Sequence, residues 1–484
     1  MFSAFQTFGK LGALASSVAR AWSPLALWPD GIATPGMWIS PRDLTSQWQD
    51  YTGTTPVSTP GTVADSSNPV GLILDRKGGL ALGAELVTNG DFSNGATGWT
   101  ITGGSVSSGQ ATYDGTSGVF YLTETLVGLI AGRTYLLEFD VSLSSSTVTA
   151  YVRLNGNSNT ASILINNPVI ARKSLYVVAT SGAPGNFQLL TPGLGTQQLV
   201  FDNISVKEIP GIHLSQATSA ARPVASARKN ELLATAALAT QNVTVAAIPY
   251  TISFAGAGTI TASGTHVGAL TNGQTFTPTA GTLTLTVAGS VTTAQLERGS
   301  VATTYQAVVS ASSYTASAGP TYLKFDGVDD SLASATFAAG TLINGVDCMI
   351  AVRRDSSASC VAGLYNGVAD ATKFFGMAES ASGSGCVGSG AGTPTVWVDN
   401  TQLTGGTAVT RGTLHTALTV GDWHILEFRN LDLSTWTAAG FGLYTSYLFP
   451  GPRGDILLYP STDPTEDKDA ARQWLADYYG VTLP

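Results

Sequence analysis

Histidine is scarce in this chain, and two of its four histidines, His415 and His424, lie close to Asp422 and Glu427. An imidazole beside a carboxylate could serve acid–base chemistry. The run Trp423-His424-Ile425-Leu426-Glu427-Phe428, however, reads more simply as a sheet strand. The turn Asp326-Gly327-Val328-Asp329-Asp330 gathers three carboxylates, which could bind Ca²⁺ or form a solvated polar hairpin. Asp202 falls in phase with Ile204 and Val206, so alternation aims its carboxylate at a side expected to be apolar, where burial needs compensation. Cys348, Cys360 and Cys386 match no common zinc or CxxC spacing and are expected to be small buried side chains. These residues predict no enzyme.

Aromatic side chains offer a different chemistry. Sugar recognition needs ring faces that stack on pyranoses, framed by Asn, Asp and Gln for the hydroxyls. Trp99, Tyr113, Tyr121 and Tyr151 in one stretch, and Tyr365, Trp397 and Trp436 in another, are the candidate platforms. Tyr151 is the strongest, because its strand sets it opposite Val152.

The elements that must position these residues are strands. Only 11% of residues are charged, while Gly, Ser, Thr and Ala are abundant, as in a chain of short strands joined by tight turns. The net charge of −9 is spread without a basic cluster, which argues against nucleic acid as a partner. With no run of 18 apolar residues, no membrane span is expected. The predicted class is all-β, with several antiparallel β-sandwich or jelly-roll modules, a short N-terminal helix and a short C-terminal helix. Phe2, Phe5, Phe8, Leu11, Leu14, Val18 and Trp22 recur every three or four residues and would form one stripe of that first helix, which needs a partner surface for stability.

Six segments follow: 1–30, 31–83, 84–208, 209–229, 230–308 and 309–484. In 84–208, Leu137, Phe139, Val141 and Leu143 alternate with Glu138, Asp140 and Ser142. Val148, Ala150, Val152 and Leu154 likewise alternate with Thr149, Tyr151 and Arg153, so the module should be a sandwich. The unit 230–308 is rich in Thr, Ala and Gly, and its core should be thin. Near the C-terminus Asp463 should cap a helix with Pro464 in its first turn, Glu466 completing a capping box and Gly480 ending it. Ala471, Trp474, Leu475 and Tyr478 would then face the sandwich.

Trp38-Ile39-Ser40-Pro41-Arg42-Asp43-Leu44, with Gly53-Thr54-Thr55-Pro56-Val57 and Val70-Gly71-Leu72-Ile73-Leu74-Asp75-Arg76, resembles a segment of tailed-bacteriophage structural proteins. In those proteins it leads into Gln-Ala-Thr and Ala-x-Arg-Pro elements, matched here by Gln216-Ala217-Thr218 and Ala221-Arg222-Pro223. A concanavalin-A-like lectin/glucanase domain then follows, whose signature is similar to Leu323-Lys324-Phe325-Asp326-Gly327. Asn89-Gly90-Asp91-Phe92, Gly98-Trp99 and Phe201-Asp202-Asn203-Ile204 resemble the jelly-roll carbohydrate-binding modules of bacterial glycanases. Ala294-Gln295-Leu296-Glu297-Arg298-Gly299-Ser300, before Thr304-Tyr305-Gln306, resembles another recurrent phage module ending.

The resemblance implies a virion protein of the tail-fibre or appendage kind that binds host-surface glycan, is exposed on the particle and forms a homo-oligomer, by fibre precedent a trimer. Phe2, Phe5, Phe8, Leu11 and Trp22 would anchor it to other virion proteins. No cofactor is implied beyond a structural Ca²⁺ on Asn89, Asp91 and Asp202. Two alternatives carry different functions: a capsid decoration or head-fibre protein, and a glycan depolymerase. Against the last, active glucanases of this fold carry Glu-x-Asp-x-x-Glu, whereas Glu138-Phe139-Asp140 here is followed by Leu143 at the third position and lies in another module. The displaced motifs leave two architectures open: 84–208 and 230–306 inserted into the lectin-like fold, or a string of independent beads.

Overall fold

Alternating apolar residues over Thr134–Leu143 and Val148–Leu154 give strands in two different sheets, whose apolar faces meet. The computed structural model describes residues 22–57, 68–113, 119–143, 148–154, 161–165, 171–179, 185–192, 198–310, 313–315, 319–367, 372–404, 408–444 and 447–484. The chain is all-β with two α-helices among these residues, Arg411–Ala417 and Thr465–Tyr479.

The largest sandwich is assembled from distant parts of the sequence. Its eight-stranded sheet runs Val224–Ser226, Tyr322–Asp326, Pro450–Pro460, Asn344–Arg353, Trp423–Asp432, Thr395–Val398 and Thr401–Gln402, with Met37–Ile39 also paired to Pro450–Pro460. The facing five-stranded sheet runs Gln47–Trp48, Leu72–Ile73, Leu214–Ser215, Leu332–Ser334 and Gly440–Phe441. Met37, Ile39, Ile73 and Leu214 share one core with Ile350, Phe428 and Ile456. Trp38 pairs with Leu457 in the ladder, and Leu214 pairs with Ile73. Thus the stretches 37–75 and 212–226 are strands of the same body as 322–460, and residues 84–208 leave and re-enter it as an insertion.

That insertion is a sandwich of two five-stranded sheets. One runs Ala171–Val178, Thr134–Leu143, Leu199–Ile209, Gln110–Tyr113 and Gly104–Ser107; the other runs Ala161–Ile165, Val148–Leu154, Gly185–Pro192, Val119–Leu126 and Trp99–Thr102. The first sheet docks on the large sandwich. Tyr176 packs on Trp48 with ring centroids 4.6 Å apart, and its N–H donates to the Thr52 carbonyl at 2.7 Å. Gly53 has φ +69°, and a Cβ there would fall 2.1 Å from the Tyr176 ring, so this seam needs glycine for both backbone and space. Because the first sheet faces the large sandwich, the outer face of the second sheet points away from it.

The small unit, with a four-stranded and a three-stranded sheet, is less dependent on its neighbour than its composition suggests. Tyr250, Ile252, Ile260, Leu283, Leu285 and Leu296 give it a core of its own. It is also pinned to the large sandwich by Arg298, which reaches Glu231 at 2.9 Å and Asp355 at 3.0 Å.

The C-terminal helix begins later than its capping pattern predicts. Pro464 is the N-cap, without a side-chain cap bond, and the helix covers Thr465–Tyr479. Asp463 leaves Oδ2 buried without a hydrogen-bond partner, and burial raises its pKa to about 6. Pro464 lacks an N–H but its carbonyl accepts from Asp467 and Lys468, so the helix starts on the proline backbone and not on the aspartate. The stop is as read: Gly480 ends the helix at φ 73°. Ala471, Leu475, Ala476 and Tyr479 are buried against the large sheet.

Trp22 is not part of a free peptide. Its indole N–H donates to Asp467 at 3.2 Å and its ring meets Trp474, so it docks on the C-terminal helix. Phe2, Phe5, Phe8, Leu11, Leu14 and Val18 lie outside the described residues.

Candidate ligand-binding face

On the free sheet of the inserted module, side chains alternate between a buried and an outward set. Phe120 and Leu122, Ala150 and Val152, and Phe187 and Leu189 point into the core. Tyr121, Tyr151 and Leu190 therefore point outward, and the register places them in one row. Leu190 pairs with Tyr121 on one side and with Tyr151 on the other. Adjacent strands lie about 4.8 Å apart, so the two tyrosines stand roughly 10 Å apart with an apolar residue between them. Thr102 continues the row beyond Tyr121.

The next outward row is polar. Gln188 pairs with Arg153 and with Thr123, which pairs in turn with Thr100. Arg153 Nη1 donates to Gln188 Oε1 at 3.4 Å. The tyrosines are half-buried, and Leu190 is only 6% exposed although it faces outward. Two aromatic rings beside an apolar floor, bordered by guanidinium, amide and hydroxyl groups, can stack on the apolar faces of a ligand and bond to its polar edge. Leu190, Arg153 and Gln188 were not among the sequence candidates. Their own alternating strands carried the only signal for them.

The remaining aromatic candidates are distributed differently. Trp99 and Tyr113 belong to the core of the inserted module, and the Trp99 indole donates to the Asn89 carbonyl. Trp436 is fully buried with its indole donating to Gly390, and Tyr365 is 1% exposed. These four are corrected from platforms to core residues, because large rings bury most area when turned inward. Trp397 is half-exposed on the large sheet, with the Arg429 guanidinium 3.9 Å over its ring.

The inward Asp202 is also corrected. The register slips between Asp202 and Ser205, and Asn203 takes φ 49°, so this bulge turns Asp202 away from the side of Phe201 and Ile204. Its oxygens accept from Gln110 at 3.2 Å and from the Asn203 N–H at 2.7 Å. Asn89 bridges its own loop, donating to the Gly95 and Thr97 carbonyls and accepting from the Asn94 N–H. Asp91 accepts from Ser93. Asn89 and Asp91 thus fasten their own loop, and Asp202 is half-buried at the bulge of its strand.

The predicted cluster does not gather as read, and His424 pairs instead with Asp399. His415 bonds the Ser357 carbonyl, and Glu427 is held by Arg429 and Arg472. His424 lies between Asp399, at 2.6 Å from Nδ1, and the Thr419 hydroxyl, at 2.9 Å from Nε2. That hydroxyl also donates to Asp422 at 3.0 Å, which leaves its oxygen free to accept from a ring N–H.

The carboxylates of Asp326, Asp329 and Asp330 come within 4.8 Å of one another. Asp326 accepts the Val328 N–H and Asp330 accepts the Asp326 N–H, as in a hairpin tied by its own backbone. Burial, reinforced by Asp326 and Asp329, raises the Asp330 pKa from 3.8 to about 6. Ionisation therefore opposes folding. The penalty is absent below pH 4, grows as pH rises toward 6 and is complete above it. Asp330→Asn should stabilise the protein by about 2 kcal/mol at pH 8 and by almost nothing at pH 4, measured as thermal melting at the two pH values.

No family model matches the chain, and no curated protein does. Among solved structures it is similar to a CBM4 module at 16% identity and TM-score 0.21, over 25% of this chain and 99% of that one. It is similar to the N-terminal cellulose-binding domain of Cellulomonas fimi β-1,4-glucanase C at 17% identity and TM-score 0.22, over 26% of this chain and 97% of that one. The enzymatically active domain of bacteriophage CBA120 tailspike protein 4 matches at 19% identity and TM-score 0.20, over 26% of this chain and 21% of that one. Likenesses this remote say nothing of what the chain binds.

Proposed function

We propose that this chain is a bacteriophage virion protein of the tail-fibre or appendage kind that attaches to host-surface glycan through the Tyr121–Leu190–Tyr151 face. The observation that carries the binding role is that row: two aromatic rings brought together by strands that are not neighbours, on the one sheet of the inserted module turned away from the large sandwich. The order of phage-like segments along the sequence supports the virion setting. Binding at one such face would be weak. Display of several copies, as in a trimeric fibre attached to other virion proteins through its N-terminal peptide, would raise the effective concentration and give firm adsorption.

The test is retention of the full chain on immobilised host-surface polysaccharide. Tyr121→Ala/Tyr151→Ala should bind about 10- to 100-fold more weakly, since two stacking contacts are lost and each tenfold step corresponds to about 1.4 kcal/mol. Its melting temperature should stay close to wild type, because both side chains are outward. A correctly folded variant that is retained like wild type would overturn the assignment.

A further inference from the structure

A cleft of about 330 Å³ lies where the inserted module meets the large sandwich, and it is separate from the tyrosine face. Five stretches of chain build it, one of them the N-terminal segment with Ile32, Ala33 and Pro35. Arg133 and Thr134 come from the inserted module, Lys77 from the segment leading into that module, Gly211 from the return segment, and Phe337 and Thr341 from the large sandwich.

Lys77 is the unusual member. It is 8% exposed, and among the described residues the partner of its Nζ is the Thr34 carbonyl at 2.9 Å. An ammonium has three N–H donors, so two remain unspent in the cleft wall. The nearby Asp75 carboxylate accepts the backbone N–H groups of Trp38, Lys77 and Ile212, and no ion pair joins it to Lys77 among the described residues. Arg133, at the rim, shares its charge with Glu208 at 2.8 Å. Burial lowers the Lys77 pKa, Asp75 opposes that shift and Arg133 adds to it. No carboxylate lines the cleft, whereas hydroxyls and the Phe337 ring do.

We propose that this cleft binds the carboxylate-bearing sugar unit of an acidic saccharide. The carboxylate would bond Lys77 Nζ and the free edge of Arg133, the sugar hydroxyls would face Thr134 and Thr341, and the ring would lie against Phe337. The volume suits a single hexose-sized group, and ligand sites favour such junctions between domains. This inference deepens the glycan-binding role and rests on it for the choice of ligand, but it uses none of the residues of the tyrosine face.

Calorimetric titration of the full chain with glucuronate, glucose and inorganic phosphate tests it. Glucuronate should bind, glucose should give no measurable heat, and phosphate should bind at least about tenfold more weakly than glucuronate. Lys77→Met should weaken glucuronate at least about tenfold with melting unchanged. Because Lys77 is buried, Arg133→Gln at the exposed rim provides a second variant, which should weaken glucuronate by a smaller factor. Tyr121→Ala/Tyr151→Ala should bind glucuronate as wild type does, so failure of either site can be told from failure of the other. Wild type that ignores glucuronate, equal binding of glucose, phosphate binding equal to glucuronate, or wild-type affinity in folded Lys77→Met would each overturn the proposal.

Discussion

Replacing residues 80–208 with a short Gly-Ser linker should leave the large sandwich folded, whereas beginning the chain at residue 84 should abolish it. The first outcome follows from where the insertion departs and returns. Ile73 pairs with Leu214, and Asp75 accepts the Ile212 N–H at 2.9 Å, so the two cut ends are already adjacent. A short linker closes that gap at little entropic cost. Excision exposes Trp48, Leu72 and Leu74 at the vacated seam and should lower melting by only a few degrees. The second outcome follows from what 37–75 contributes. Met37 and Ile39 are fully buried in one sheet, Ile73 is fully buried in the facing one, and Val70 lies between. Burying such a side chain stabilises by about 1.5–3 kcal/mol, so losing them together with their ladder bonds approaches the whole stability of a domain, about 5–15 kcal/mol. Far- and near-UV circular dichroism with thermal melting of the two truncations checks both. If the chain that begins at residue 84 keeps the large sandwich's own transition, beyond those of the inserted module and the small unit, the C-terminal strands form a complete sandwich without their N-terminal partners.

The alternation that made this chain legible is local, and it served well where structure is local. Leu137, Phe139 and Val141 face one core, while Glu138 and Asp140 face out as their spacing predicts. It failed at Asp202 because a single extra residue at a bulge reverses every later side chain, and only the backbone shows where that residue is inserted. It could not separate Trp99 and Trp436, which are core, from Tyr121 and Tyr151, which are not, since a large ring suits either position. Nor could it bring Tyr121 and Tyr151 together. The strand between them is Gly185–Pro192, which comes later in the sequence than both, so their proximity depends on a long-range pairing without a local signature.

The short motifs proved informative in a way their resemblance alone did not indicate: they are the seams. Arg222 donates to the carbonyls of Gln49, Gln216 and Ala217, and the Gln216 amide donates to the Ser331 hydroxyl at 2.7 Å, so three distant stretches meet through these two side chains. Gln306, at the end of the small unit, accepts from the N–H groups of Lys229 and Asn230 and donates to the carbonyls of Ala227 and Thr315. Such side chains replace backbone pairing where the chain leaves one body for another. Gln306 is fully buried and Gln216 and Arg222 are half-buried, so their polar groups need partners within the protein.

Asp455 occupies the most consequential of these seams, and Asp455→Ala should cost about 3–5 kcal/mol. It is fully buried on the strand Pro450–Pro460 and accepts from Trp38 Nε1 at 3.2 Å, Arg42 Nε at 2.6 Å and Tyr479 Oη at 2.8 Å. The N-terminal segment, the central strand and the C-terminal helix therefore converge on one carboxylate. Alanine would strand all three donors. The worst affected is the Arg42 guanidinium, which is held 3.5 Å and 3.6 Å from the Trp474 and Tyr478 ring centroids and would lose its counterion. Arg42→Met removes the charge and keeps an unbranched chain between the rings, so Asp455→Ala/Arg42→Met should be markedly more stable than the sum of the single losses. Thermal melting of the four proteins in that cycle measures the coupling. If the losses simply add, the carboxylate acts through Trp38 and Tyr479, and the ion pair is not what fastens the C-terminal helix to the sheet.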